Sequence, residues 1–406
     1  MKTIKCVDIL LPKVAEPEKW AVVSCDQFTS QRNYWKEVER VVGDSPSTLK
    51  LIFPEVYLED GDGEERVAQI NATMKDYLSN NVFYTLKDSF ILVKRDTEYR
   101  SRLGLMVAID LEDYSYAYPT GAPLRATEGV VPERIPPRLK IRRDAPIELP
   151  HILVVMDDRK GRVIEDLYAQ KDKLEKLYDF DLNMKGGHLT GYMVDKKEVF
   201  DRLAKYGEDI DGLYGVKTEL TFAVGDGNHS LATAQAHWQE IKKTLPIEEQ
   251  ENHPARYALC ELENLHDAGI VFEPIHRVVF DVDKADFVKA LEDGISGSGA
   301  LEIMVDGTSK VIPCNPIGAE CIAEVQKVID DYMAKCGGTV DYIHGLEHLK
   351  AVAEEKDGVA ILMPTIKKEE LFQYVVDHGN LCRKAFSMGE AEEKRYYYEC
   401  HKIVKD

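Results

Sequence analysis

A mixed α and β fold, α+β in class, is predicted by two features of the sequence. Short apolar strands alternate with amphipathic helical stretches from one end to the other. No period of about 20–50 residues recurs that would mark a repeat protein. With 406 residues the chain has room for roughly two or three domains with substantial cores.

Taken in order, the apolar runs at 20–24 (WAVVS) and 90–93 (FILV) predict strands. Between them, a helix is expected from 65 to about 78, because the acidic turn EDGDG breaks what precedes it. The run GLMVAIDL at 104–111 reads as another strand. Residues 118–150 are expected to form a long irregular crossing, interrupted by Pro119, Pro123, Pro132, Pro136, Pro137, Pro146 and Pro150. Long segments of that kind in compact proteins are usually functional or linkers. The run HILVVMD at 151–157 predicts a buried strand, 162–178 a charged helix, and 189–194 a strand after the turn at Gly186-Gly187. At 220–224 a further apolar strand is expected, followed by a helix with Leu231, Ala234, Trp238 and Ile241 on one face.

Near Asp281 the texture changes: DVDKADFVKALEDG opens a new helical pattern, and GISGSGA supplies a loop of small residues. The expected division is therefore a main α/β domain at 1–280, carrying the site, and an α+β domain at 281–406. In the latter, helices are predicted at 319 to about 335, 345–355 and 368–378, with strands at 359–363 and 395–399.

Composition narrows the function. Lys+Arg number 52 and Asp+Glu 72, a net charge of −20, which disfavours nucleic acid and anionic membranes as partners. No apolar run approaches the roughly 18 residues of a membrane span, and the opening MKTIKCVDILLPK does not read as a targeting segment. The eight cysteines are scattered and form no CxxC, so neither a zinc site nor a disulfide framework is expected. A cytoplasmic protein acting on a small molecule is the resulting expectation.

The sharpest local signal is LTFAVGDGNHSLATAQAHW. It sets Gly225, Asp226, Gly227, Asn228, His229 and Ser230 between a strand end and a helix start, where unpaired N–H groups and the helix dipole favour phosphate or carboxylate. The alternative is a plain turn in which Asn228 or Ser230 caps the helix. No Gly-Lys-Ser/Thr follows, so this is not a P-loop. A second signal is the run 125–143, where Arg125, Arg134, Arg138, Lys140, Arg142 and Arg143 outnumber Glu128 and Glu133. These arginines either grip an anion or pair with local carboxylates. His276 and Arg277 stand in the apolar stretch VFEPIHRVVF and need partners there. Cys25-Asp26-Gln27 closes the first strand, and Cys25 is a nucleophile candidate without an identifiable base; Arg383, Lys384 and Ser387 form a late basic loop.

The blocks CDQFTSQRNYW, RATEGVVPERIPPR, GDGNHSLATAQA, HPARYALCELENLHDAGIVFEPIHRVVF, DYIHG and KAFSMGEAEEKRYYYEC run from Cys25 to near the C-terminus. Together they resemble the family catalogued as Domain of Unknown Function 1015. The family's central motif, usually Asp-Gly-His-His-Arg, is similar to that of the ParB/sulfiredoxin-like superfamily, which includes free-serine kinases. The resemblance implies a ParB/sulfiredoxin-like core elaborated by additional α/β segments. It also implies a motif beside nucleotide phosphates, with its Asp taking part in phosphoryl transfer. Asp226, Gly227 and His229 match; Asn228 replaces the first His and Ser230 the Arg. Losing that Arg removes a phosphate contact, so either the arginine-rich loop substitutes or the activity differs.

The leading expectation is thus a nucleotide-dependent kinase of a small hydroxylated metabolite such as free serine, using ATP or ADP and Mg²⁺. In it the turn Gly225, Gly227, Asn228 and Ser230 cradles phosphates, with Mg²⁺ near Asp226, and Arg125, Arg134 and Arg138 neutralise charge. His229, Asp26 or Glu128 takes the acceptor proton, while His276, Arg277, Arg383 and Lys384 support the site or contact substrate. The competing expectations are a metal-dependent phosphoester hydrolase and a noncatalytic protein that binds a nucleotide or anionic metabolite.

Overall fold

Four successive apolar residues, Phe90 to Val93, suit a strand covered on both faces rather than one. In the computed structural model all four are buried in the middle of the strand Phe83–Asp96. The structure describes residues 2–215 and 219–405. The fold is mixed α and β, and the chain forms two compact units. One comprises Met1–Ala126, Val130–Ile270 and Glu390–Asp406; the other comprises Thr127–Gly129 and Val271–Gly389.

The first unit is built on a mixed sheet of 13 strands among the described residues. Its site-bearing end runs Tyr114–Ser115, Leu124–Arg125, Phe222–Asp226, Leu153–Met156 and Tyr257–Asn264. It continues through Ser101–Asp110, Phe83–Asp96, Val7–Pro12, Cys400–Lys402 and Ile147–Glu148. The helix Asn228–Lys242 buries Leu231, Ala234 and Trp238 of the predicted stripe, while Ile241, at its end, is half-buried. A core that includes Trp20, Trp35, Phe83, Tyr396 and Tyr397 fills one side of the sheet.

The second unit carries a 6-stranded sheet among the described residues. Its order is Thr308–Cys314, Gly299–Val305, Val359–Leu362, Phe272–Phe280 and Thr339–His344. The short strand Phe386–Met388 pairs with the start of Phe272–Phe280. Helices Lys284–Gly294, Gly318–Cys336, Leu346–Glu355 and Lys368–Asp377 complete the unit, close to their expected bounds.

Elsewhere the structure departs from expectation. The boundary expected at 280/281 falls inside the second unit, just after the strand Phe272–Phe280, and the C-terminal segment belongs with the first unit. The cause is pairing: Cys400–Lys402 inserts between Val7–Pro12 and Ile147–Glu148. The charged stretch at 162–178 is α-helical only over Ile164–Tyr168, with a 3-10 turn at Lys171–Lys173. From Lys176 to Leu182 the chain is a strand with Tyr178, Phe180 and Leu182 inward, a period of two that the flanking charges mask. Within the proline-rich crossing, Ile135–Arg142 is a helix, because prolines in a first turn sacrifice no intrahelical donor. Trp20 ends the helical turn Pro17–Trp20 instead of opening a strand, and the last expected strand shrinks to Tyr396–Tyr397.

Glu148 joins the returning strand to the sheet. It meets Arg142 at 2.5 Å, His401 at 3.0 Å and the Leu259 N–H at 2.8 Å. Burial alone would raise this carboxyl, but Arg142, His401 and the Leu259 amide outweigh it and hold it at about 2, against an ordinary 4.5. A depressed carboxyl contributes stability that is present above its unfolded value and lost as pH falls through its folded one. Acid denaturation followed between pH 4.5 and 2 should therefore show a destabilisation that Glu148→Gln flattens; an unchanged acid limb in the variant would refute the role.

Candidate functional site

The strand Phe222–Asp226 ends at an irregularity in its pairing with Leu153–Met156: the register shifts between Val224 and Asp226. Shifts of this kind re-aim a side chain at a strand end. The next residue, Gly227, has φ +83° and is the N-cap of the helix Asn228–Lys242, with no side-chain cap. A Cβ at Gly227 would lie 3.1 Å from Ile152 Cα. Glycine is thus favoured by the left-handed conformation, and a side chain there would also press on Ile152. Of the two expected glycines only Gly227 takes a positive φ; Gly225 lies within the strand. Neither Asn228 nor Ser230 serves as N-cap, since they occupy the first turn itself.

Asp226 is held from two sides. Its Oδ1 accepts from the Gly227 N–H at 2.8 Å, and its Oδ2 meets Lys394 Nζ at 3.0 Å. Lys394 is buried, so its charge acts through a poorly screened environment. Next to this pair lies a continuous polar relay. Ser230 Oγ is 2.8 Å from His151 Nε2, His151 Nδ1 is 2.8 Å from Tyr397 Oη, and Tyr397 Oη is 3.2 Å from Cys25 Sγ. The Cys25 N–H also donates to Tyr397 Oη at 3.2 Å. Two proton orders satisfy every member: Ser230 donates to Nε2, Nδ1–H to the phenol and the phenol to the sulfur, or the thiol donates to the phenol oxygen, the phenol to Nδ1 and Nε2–H to Ser230. In the first order His151 accepts from Ser230, and in the second it donates to it.

Asp26 borders the same cluster. Burial would raise its carboxyl, but the imidazole of His151, hydrogen bonds from Gln27 and Ser24, and the charge of Lys394 bring it below its ordinary value. It is an ionised carboxylate at neutral pH. Cys25 goes the other way: burial, then the Asp26 charge, pushes the thiol up to about 12. That environment does not generate the thiolate a nucleophilic cysteine needs. His229 Nε2 accepts from the Val131 N–H at 3.1 Å, which commits that nitrogen.

The basic loop is largely answered by carboxylates. Arg138 pairs with Glu55, Lys140 with Glu64, Arg142 with Glu148 and Arg143 with Glu240. Arg125 is buried and donates to the Ala122 carbonyl at 3.0 Å, while Arg134 is exposed. Arg138 nevertheless bears on the site, since Glu55 donates its N–H to the Cys25 carbonyl at 2.8 Å.

The remaining expected residues belong to the second unit. Glu128 accepts from the Lys384 N–H at 2.9 Å. His276 is buried, its Nδ1 accepts from the Met363 N–H at 3.1 Å, and burial followed by the Arg277 charge lowers its pKa. Arg277 and Arg383 both lie against the Tyr342 ring, at 4.9 and 5.5 Å.

The chain therefore brings Asp226, Gly227, Asn228, His229, Ser230 and Asp26 together in one unit. To these it adds His151, Lys394 and Tyr397, which the sequence reading did not assign. His151 opens a buried apolar run and Lys394 stands between acidic and aromatic residues; the usable signal was polar residues bordering strands that end near the motif.

The model of the family described as Protein of unknown function (DUF1015) matches residues 11–397. The chain belongs to that family. No curated protein matches it. Among solved structures, a conserved hypothetical protein from Pyrococcus furiosus is 14% identical with a TM-score of 0.36, covering 72% of this chain and 90% of that one. A free serine kinase in complex with AMP is 12% identical with a TM-score of 0.40, covering 73% and 92%. SbnI with C-terminal truncation from Staphylococcus aureus is 8% identical with a TM-score of 0.38, covering 70% and 82%. Among the described residues no helix is long and apolar enough to cross a membrane.

Gly227→Ala should lower stability by about 1–2 kcal/mol, the cost of a left-handed non-glycine residue. Equilibrium denaturation reads this directly, and an unshifted midpoint would show that the turn tolerates a side chain.

Proposed function

We propose that the protein is a nucleotide-dependent kinase that phosphorylates the hydroxyl of a small metabolite, free serine being the first candidate. The observation that carries this reading is Asp226, set at a strand-to-helix turn with its carboxylate 3.0 Å from the buried Lys394 amine. The likeness to free serine kinase, at a TM-score of 0.40, adds no argument of its own.

Phosphoryl transfer asks a protein mainly to position the donor, neutralise spreading charge and orient the acceptor. The start of the helix Asn228–Lys242 turns the positive end of its dipole toward ATP or ADP phosphates. Lys394 supplies the fixed positive charge that the family motif takes from its Arg, a position that is Ser230 here. Mg²⁺ is commonly held by one or two carboxylates together with substrate phosphates, and Asp226 fits that donor set. When bound, it would neutralise charge on the phosphates.

For the acceptor proton the geometry ranks the candidates. His229 Nε2 is committed to Val131. Glu128 accepts from Lys384 within the second unit. Asp26 remains ionised beside His151 and Lys394, and is the proposed base. A two-metal hydrolase gains less from this arrangement, since among the described residues no group of three or more His, Cys, Asp or Glu is placed to hold a metal ion.

The test is ADP release from ATP with Mg²⁺, in the presence and absence of free serine and other hydroxylated metabolites. Acceptor-dependent ADP formation is expected. Asp226→Asn and Lys394→Met should stay folded and lose roughly 10²–10³-fold in rate. Undiminished turnover in Asp226→Asn, or the absence of any nucleotide-dependent rise in melting temperature, would overturn the reading.

A further inference from the structure

The second unit contains a buried cation that its own chain does not answer. Arg277 lies on the strand Phe272–Phe280 directly across from Tyr342 on Thr339–His344, so the two side chains share one face of the sheet. Arg277 is completely buried. Its Nε donates to Gln326 Oε1 at 3.3 Å, one terminal nitrogen donates to the Ile275 carbonyl, and the other terminal nitrogen is buried with no hydrogen-bond partner. The Tyr342 hydroxyl is likewise buried and unpartnered. Among the described residues neither Arg277 nor Arg383 forms an ion pair, although both guanidinium groups lie over the same Tyr342 ring.

A buried guanidinium without a counter-charge is expensive, and a buried donor without an acceptor adds to that cost. Two acidic groups stand nearby, and neither pays it. Asp330 reaches Arg277 only through Gln326, whose Nε2 donates to Asp330 Oδ1 at 2.9 Å. Glu128 is engaged by the Lys384 N–H at 2.9 Å. The groups around Arg277 are therefore Arg383, the Tyr342 phenol, the Gln326 amide and the Cys382 thiol, and none of them accepts from its second terminal nitrogen. A guanidinium pair matches the oxygens of phosphate or carboxylate, and a phenolic O–H adds a third donor.

We propose that Arg277, Arg383 and the Tyr342 hydroxyl form a binding site for a small oxyanion, a phosphate ester or a carboxylate. The ligand oxygens take the unpartnered Arg277 nitrogen and the Tyr342 hydroxyl, and Arg383 closes over them from the exposed loop that follows Leu381. This site is argued without the kinase reading and stands or falls separately from it.

The experiment is thermal unfolding of the full chain against inorganic phosphate, and separately against succinate, at constant ionic strength. The wild type should gain melting temperature with rising anion concentration. A response to phosphate that Arg277→Met loses identifies the ester class, and a response to succinate so lost the carboxylate class; a response that Arg277→Met keeps belongs to the turn at Asp226 and overturns the site. Arg383→Ala, an exposed change, should weaken the anion's apparent affinity by roughly tenfold or more. Arg277→Met should abolish the response, yet melt no lower than the wild type in anion-free buffer, because it removes an uncompensated charge while keeping bulk. Asp226→Asn should keep the response. The proposal fails if the wild type does not respond to either anion, or if Arg383→Ala responds as the wild type does. It fails equally if Arg277→Met is destabilised to the same extent with and without anion, the behaviour of a purely structural arginine.

Discussion

The first unit depends on a single guanidinium. Arg395 is buried between Glu261 at 2.7 Å and Glu399 at 2.6 Å, and also donates to the carbonyls of Pro150 at 2.8 Å and Tyr396 at 3.0 Å. These partners outweigh the burial that would lower it and keep it firmly protonated. Room for Glu261 is made at Gly104, where a Cβ would collide with the Glu261 carboxylate. The segment just before Arg395 is tied down by its own main chain: Arg95 donates to the Glu392 and Lys394 carbonyls and Arg102 to that of Glu393. Removing one member of such a set leaves the others charged and buried, which makes the arrangement all-or-none.

That constraint bears directly on the site, because Lys394 immediately precedes Arg395. A lysine on a loose tail would spend its rotamer entropy to reach Asp226 and gain little. Here the main chain on both sides is fixed, so the amine is delivered to a carboxylate 168 residues away in sequence already oriented. Tyr397, two residues further on, is carried in by the same anchoring and holds the His151 ring through Nδ1 at 2.8 Å. The cluster around Asp226 thus draws on the strand Phe222–Asp226, the end of the first core segment at Cys25-Asp26, His151, and the returning tail. Only the first of these is local to the motif.

This explains what could be read from sequence and what could not. The turn was legible, since Gly227 declares its own backbone conformation and the Leu231, Ala234, Trp238 spacing declares the helix behind it. Strands buried on both faces, such as Phe90 to Val93, were legible as apolar runs. The strand Lys176–Leu182 was not, because its first residues continue the charged stretch expected as a helix at 162–178, and Asp179 and Asp181 interrupt the apolar run that would have declared the rest. Nor was the inward role of Lys394, since nothing in EEKRYYYE distinguishes a solvated lysine from one held by three buried arginines. The same limit explains the basic run at 125–143: its partners Glu55, Glu64, Glu148 and Glu240 lie outside the run or at its far edge, so its local excess of positive charge overstated what is available to a ligand.

Arg395 and Arg277 are chemically the same group in equally dry surroundings, and the contrast between them is informative. For Arg395 the chain assembles two carboxylates and two carbonyls, leaving no guanidinium nitrogen unanswered. For Arg277 it supplies an amide oxygen, one carbonyl and a ring face, and leaves a terminal nitrogen and the neighbouring Tyr342 hydroxyl without acceptors. Natural sequences keep such local violations chiefly where function requires them. A carboxylate at Gln326 would bring charge to the Arg277 Nε but would set it against Asp330, which accepts from Gln326 Nε2 at 2.9 Å, and would leave the terminal nitrogen unanswered. Glutamine there holds the guanidinium in place by its Nε while withholding the charge, which is the arrangement expected of a group whose counter-ion arrives from outside.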